Sequence, residues 1–257
     1  FQWVYSGPPT ADPAAQSEVV RSLMQQRVDA LMVAPNDPDS MAPVITEAQG
    51  QGIKVGTADT DASSSSREVF VTQATEEAIG TALLEQIAAP LNGEGEVAIV
   101  SCGQTAANLN AWIKVIQDKA ATDYPDLKIV ETVYADEDQA KAVTMAKNLI
   151  NAYPDLKGLI GPCTTAAPGV AQAVQESGKT GQIHTTGVGT PQAMLPYLLT
   201  APHRPPFSGT WRTSATSPPG PGGSWPRAKP SRRPRTSAAS QGSPTTSPPR
   251  LWSWAAH

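Results

Sequence analysis

Apolar residues in this chain fall into two rhythms. Short runs of four to six alternate with longer stretches in which apolar positions return every three or four residues. Residues 1–5 read as a strand, and Ser6-Gly7-Pro8-Pro9 as a turn. Within 14–27, Val19, Val20, Leu23 and Met24 have helical spacing. Residues 30–33 form a short buried strand closed by Ala34-Pro35-Asn36-Asp37. Asp39 is the expected cap of a helix in which Met41, Val44, Ile45 and Ala48 share a face, and Gly50 and Gly52 end it. A strand from Ile53 follows. The alternation continues with strands at 69–72, 97–100, 127–133, 156–160 and 183–188. The helices between and after them run from 75 to about 89, through 110–120, and over 139–152, 167–175 and 191–198. Strands alternating with helices predict an α/β fold with parallel sheets built from βαβ units. The sequence Tyr-Pro-Asp-Leu-Lys occurs at 124–128 and again at 153–157, each time between a helix and a strand. Its proline reads as a helix stop and its recurrence as a repeated αβ turn.

Composition changes the picture only at one end. All 23 acids precede Thr200, whereas 8 of the 19 Lys and Arg follow it. The body therefore carries 11 bases and a net charge of −12, and the tail carries +8. An acidic body argues against nucleic acid, which calls for a basic face. No apolar run approaches the roughly 20 residues that span a bilayer. Phe1 already begins a strand-like run, so no secretory signal is read in these residues.

In an open α/β sheet, ligands bind outside the carboxyl ends of the strands. The residues at those ends are Asn36-Asp37, Asp59-Thr60-Asp61, Gln73, Cys102-Gly103-Gln104, Pro162-Cys163-Thr164-Thr165 and Gly189-Thr190. The set is short, polar and free of His, Lys and Arg, which suits a neutral hydroxylated ligand better than a phosphate. Asp59 either holds such a ligand or, with Asp61, solvates a loop. No Walker loop or Gly-x-Ser-x-Gly elbow is present, and Gly187-Val188-Gly189 lacks the third glycine of a dinucleotide fingerprint. The chain reads as a non-enzyme without cofactor or metal. Cys102 and Cys163 lack metal-site spacing and fall on neighbouring strands of a doubly wound order. They are expected as buried free thiols, a disulfide requiring Cα atoms within about 7 Å.

With these residues in view, the chain resembles the periplasmic sugar-binding proteins of ABC importers, in the branch of autoinducer-2 and rhamnose receptors. The resemblance rests on Tyr5-Ser6-Gly7-Pro8, Asp59-Thr60-Asp61, Asn108-x-Asn110-x-Trp112, Tyr153-Pro154-Asp155-Leu156, Pro162 and Gly189-Thr190-Pro191, and covers residues 1 to about 199. It implies two Rossmann-like lobes of the type I periplasmic binding protein fold, joined by hinge strands, with a first crossover near Thr72 and Gln73. The expected division is an incomplete first lobe at 1–72, a second lobe at 73–199 and a disordered tail at 200–257. The resemblance also implies a further strand and helix ahead of Phe1, including the central strand of the first lobe. It carries Asp59 over as the ligand carboxylate and makes Asp61, Asn108, Asn110, Pro162 and Thr164 candidate contacts. Asn108 stands where the autoinducer-2 receptors carry an aspartate, and Leu109 where they carry a glutamine. These changes favour a deoxyhexose such as rhamnose over autoinducer-2.

The tail departs from the resemblance. Pro, Arg, Ser, Thr, Gly and four of the six Trp replace the expected strands and helix. It reads either as a Pro-rich linker or as translation in a shifted frame after about residue 199. The nucleotide sequence decides between them. With the first lobe lacking its central and returning strands, the chain as written is expected to bind poorly, because too little apolar surface is buried to offset chain entropy. The functional expectation is a solute receptor, periplasmic or at the cell surface, that delivers a monosaccharide to an ABC permease. The alternative is the effector domain of a transcription regulator of the same fold, which needs a helix-turn-helix upstream.

Overall fold

The computed structural model describes residues 2–200 and 251–255. Two parallel sheets form the framework. In the first, strands β1 (Gln2–Ser6), β2 (Ala30–Val33), β3 (Lys54–Ala58), β4 (Val69–Val71) and the C-terminal strand (Leu251–Ala255) lie in the order β1, C-terminal strand, β2, β3, β4. In the second, β5 (Gly95–Ser101), β6 (Leu127–Tyr134), β7 (Leu156–Gly161) and β8 (His184–Gly187) lie in the order β6-β5-β7-β8. The C-terminal strand is β9 in chain order.

Helices connect the strands and begin where local chemistry starts them. α1 (Pro13–Gln25) opens on Pro13, with the Asp12 carboxylate accepting from the Ala14 and Ala15 amides at 2.8 and 3.1 Å. α2 (Pro38–Gly50) is capped by Asp37, which accepts from the Asp39 amide at 3.0 Å. Asp39, the expected cap, instead sits in the first turn. Pro38 favours N1, which fixes the cap one residue before it. α3 (Glu76–Ala88) is capped by Thr75 and carries Glu76 and Glu77 in its first turn, where acids suit the helix dipole. α4 (Ala107–Asp123), α5 (Gln139–Ala152), α6 (Ala166–Glu176) and α7 (Pro191–Thr200) complete the set. Both copies of Tyr-Pro-Asp-Leu-Lys do join helix to strand. Tyr124 and Tyr153 close α4 and α5, and their carbonyls accept from Leu127 and Leu156 at 2.9 and 3.0 Å.

The second sheet is covered on both faces. Along β5, Val97 and Ile99 pack with Leu84, Ile87, Ile113 and Ile116 of α3 and α4. The alternate residues Ala98 and Val100 pack with Ala146, Leu149, Val170 and Val174 of α5 and α6. Period-two alternation with both faces apolar is why such strands read as continuous hydrophobic runs. In the first sheet, α1 and α2 cover one face over Leu31, Val33 and Val55. Its other face, lined by Trp3, Tyr5, Ala30, Met32, Gly56 and Val69, holds an apolar groove of about 670 Å3. No helix among the described residues lies in that groove.

Two expectations need correction. The segment 200–257 was expected to be without order, yet Leu251–Ala255 form a strand paired in parallel with both β1 and β2. The rest of that segment lies outside the described residues, save the end of α7 at Thr200. The expectation of weak binding rested on a first lobe without a central strand; in the sheet, Leu251–Ala255 stand between β1 and β2. Second, Cys102 and Cys163 are joined as a disulfide with Cα atoms 6.3 Å apart. The sheet order puts β5 beside β7, so the two strand ends lie within bridging reach.

Candidate functional site: a crevice between strand ends

The chain leaves the first sheet after Val71 and enters α3 at Glu76. The carboxyl ends of both sheets contribute to one crevice. Asp59 follows β3 with φ of +63°, a left-handed conformation that Asp tolerates and that functional sites often retain. Its amide donates to the Val71 carbonyl at 3.0 Å, which fixes the turn. Its carboxylate accepts from Gln73 Nε2 at 2.8 Å and, across the lobe boundary, from Asn108 Nδ2 at 2.9 Å. Asn108 lies in the first turn of α4, is 9% exposed, and its Oδ1 accepts from the Leu109 amide at 2.8 Å. A cavity of about 500 Å3 is lined by Asp59, Asp61, Asn108, Thr72, Thr75 and Trp112, among others.

The other candidates are placed as follows. Asp61 lines the same cavity, but its oxygens accept from Arg67 Nε and Nη2 at 2.8 and 2.7 Å and from Thr57 Oγ1 at 2.7 Å. The Arg67 guanidinium holds its carboxyl below the usual carboxylate range. Asn110 donates to the Gln104 carbonyl at 2.8 Å and so braces the loop ahead of α4. Pro162 is buried and Thr164 exposed at the end of β7. Neither they nor Asn110 lines the cavity that Asp59 and Asn108 share.

Of the further groups at the strand ends, Glu137 was missed by the sequence reading, while Thr165 and Asn36 stood in the strand-end set without an assigned role. Glu137, in the loop after β6, has φ of +60° beside Asp136 at +52°. Burial pushes its carboxyl above the usual range; the Thr165 hydrogen bond at 3.4 Å opposes this, and the nearby Asp59 charge adds to it. Thr165 Oγ1 also lies 3.1 Å from Cys102 Sγ and 3.8 Å from Cys163 Sγ, so a cystine, a hydroxyl and a carboxyl form one cluster. The ligand atoms of Cys102, Glu137 and Cys163 lie within 4.8 Å of one another, but both sulfurs are spent on the disulfide. Asn36, at the end of β2, is 5% exposed and carries a side-chain amide with no hydrogen-bond partner among the described residues.

A family model described as the periplasmic binding protein domain matches residues 1–221. The chain belongs to the periplasmic binding protein domain family. The match extends beyond Leu198, into the segment whose composition departs from the body. A D-ribose/D-allose-binding protein of Pseudomonas aeruginosa is 29% identical over 197 residues, which cover 73% of this chain and 60% of that protein. An ABC transporter solute-binding protein of Clostridium phytofermentas, solved with bound L-rhamnose, is 31% identical with a TM-score of 0.72, covering 74% of this chain and 60% of that one. LsrB from Clostridium saccharobutylicum, in complex with AI-2, is 25% identical with a TM-score of 0.74, covering 77% and 64%. The chain thus spans about three fifths of the length of the relatives it matches. Two Rossmann-like lobes are the fold of this periplasmic binding protein family member. No described helix is long and apolar enough to cross a membrane.

Proposed function

We propose that this chain is an extracytoplasmic receptor that holds a monosaccharide between its lobes and presents it to the permease of an ABC importer. One observation carries the reading. Asp59 of the first lobe and Asn108 of the second meet at 2.9 Å beside a cavity that both line, together with Thr72, Thr75 and Trp112. A carboxylate that accepts two hydrogen bonds from hydroxyls, faced by an amide that donates and accepts, matches the edge of a pyranose or furanose ring. Relatives that bind ribose, allose, rhamnose, arabinose or AI-2 support the ligand class. The cystine supports an oxidising compartment.

Within that class, a rhamnose-like sugar is favoured over autoinducer-2. Leu109 is 5% exposed and packs in the second-lobe core, so it offers the cleft no polar group. No covalent chemistry is invoked; ligand shifts an open–closed equilibrium through its contacts with both lobes. The test is calorimetric titration of the purified chain with L-rhamnose, D-ribose, D-allose and D-arabinose. Micromolar or tighter binding of one of them is expected, and Asp59→Ala should weaken it roughly a hundredfold through loss of two charge-assisted hydrogen bonds. Absence of heat with all four sugars overturns the reading.

A further inference from the structure

We propose that Asn36 is a specificity-determining ligand contact, whose side-chain carboxamide reads one hydroxyl, or a vicinal pair, of the bound sugar. The inference rests on the receptor reading above. Asn36 is 5% exposed, yet neither Oδ1 nor Nδ2 has a partner among the described residues. Buried carboxamides in native proteins are almost always paired, so an orphaned one calls for an explanation. Its surroundings rule out a loosely held loop residue. The Asn36 amide donates to Gln16 Oε1 at 2.8 Å, and Gln16 Nε2 donates to the Ala34 carbonyl at 2.7 Å. Gln16 is fully buried, so the loop is clamped from inside the first lobe. The neighbouring Asp37 is committed to capping α2.

Asn36 is not among the residues that line the Asp59 cavity in this closed arrangement, but it stands one strand away from them, at the same seam. β2 lies beside β3, so Asn36 and Asp59 stand at adjacent strand ends. Both engage the same stretch of the second lobe. Thr105 Oγ1 donates to the Asn36 carbonyl at 3.4 Å, and Asn108 Nδ2 donates to Asp59 at 2.9 Å. The chemistry complements Asp59. An ionised carboxylate only accepts hydrogen bonds, whereas a carboxamide both donates and accepts. Asp59 therefore grips hydroxyls without regard to what their oxygens need. Asn36 rewards a hydroxyl that accepts as well as donates, and it is left unpaired by an epimer or deoxy sugar that places none there.

The test compares wild type, Asn36→Ala and the near-isosteric Asn36→Asp. Each is titrated calorimetrically with L-rhamnose, D-ribose, D-allose and D-arabinose, and each ligand-free protein is melted by scanning calorimetry. Asn36→Ala should weaken the best sugar roughly tenfold or more and compress the differences among the four. Its ligand-free melting temperature should hold or rise, because the substitution removes an unpaired buried amide. Asn36→Asp keeps an acceptor but loses the donor, and should reorder the sugars. A wild type that binds one sugar, with both variants keeping its affinity and ranking, overturns the inference and leaves the receptor reading intact. So does an Asn36→Ala protein that melts several degrees lower with its ranking unchanged, which marks a structural role. A wild type that binds none of the four overturns the receptor reading and this inference together.

Discussion

Asp61 and Glu137, which follow β3 and β6, show carboxyl groups of opposite electrostatic fate. Asp61 was a candidate ligand residue by position, but the protein itself claims it through a two-pronged contact with Arg67. Both side chains are about a quarter exposed. Its lowered folded-state pKa means that the pair stabilises the fold above the ordinary aspartate range, and that this contribution fades as pH falls through the folded value. Asp61→Asn should therefore cost about 1–2 kcal/mol at neutral pH and much less in acid below the folded value. Urea unfolding of both proteins at the two pH values checks this, and an equal loss at each counts against the ion pair. Glu137 has the reverse sign. Its carboxyl is raised by burial, so its contribution is complete at low pH and is lost as pH rises through the folded value. Glu137→Gln should make the fold more stable at pH 7 and flatten its pH dependence above about pH 4.5. Asp59 was legible because it ends an apolar strand. Arg67 was not, since a partner six residues away in an irregular loop leaves no periodic trace. Nor did anything in Asp136-Glu137-Asp138 mark the middle residue as the half-buried one.

At the scale of elements, the strands and helices were readable because each apolar run is short and each helix carries its own cap. Their ends were less so. β5 reaches from Gly95 to Ser101, two residues before and one beyond its apolar stretch, because ladder bonds to β6 continue through polar residues. Close approach between elements left a subtler mark. Gly187 of β8 pairs with Gly161 of β7, and a Cβ on Gly187 would sit 2.1 Å from the Gly161 carbonyl oxygen. The sequence shows Gly187 only as half of a failed dinucleotide pattern. Gly187→Ala should displace β8 or α6 and destabilise by about 2–4 kcal/mol, in the range of overpacking and strain, with a lower urea midpoint as the readout. The cystine joins β5 and β7 across a separation of 61 residues. Reduction should lower stability by about 2–4 kcal/mol if loop-closure entropy dominates, as unfolding with and without a dithiol would show.

On the scale of the molecule, the alternation of elements announced two parallel sheets but not which distant segments complete them. β9 pairs with β2 across more than 200 residues, and no local pattern encodes such a contact. The crevice has the same character, since Asp59 and Asn108 are 49 residues apart and belong to different lobes. Their hydrogen bond links the two sides of the crevice directly, so it favours approach of the lobes. Replacing the donor by an acceptor should reverse this. In Asn108→Asp two carboxylates would face each other, and like charges about 4 Å apart repel by about 1–4 kcal/mol between bulk water and a partly screened protein surface. The free variant should therefore populate the separated form, with a larger radius of gyration by small-angle X-ray scattering than wild type at pH 7. Lowering the pH into the carboxyl range should bring the two together by protonating one of the pair. Hydroxyls of a bound sugar donate to both carboxylates, so ligand should compact the variant more than it compacts wild type. Equal radii for the free proteins at pH 7 would mean that lobe approach does not depend on this contact, and that the closing force lies elsewhere along the seam.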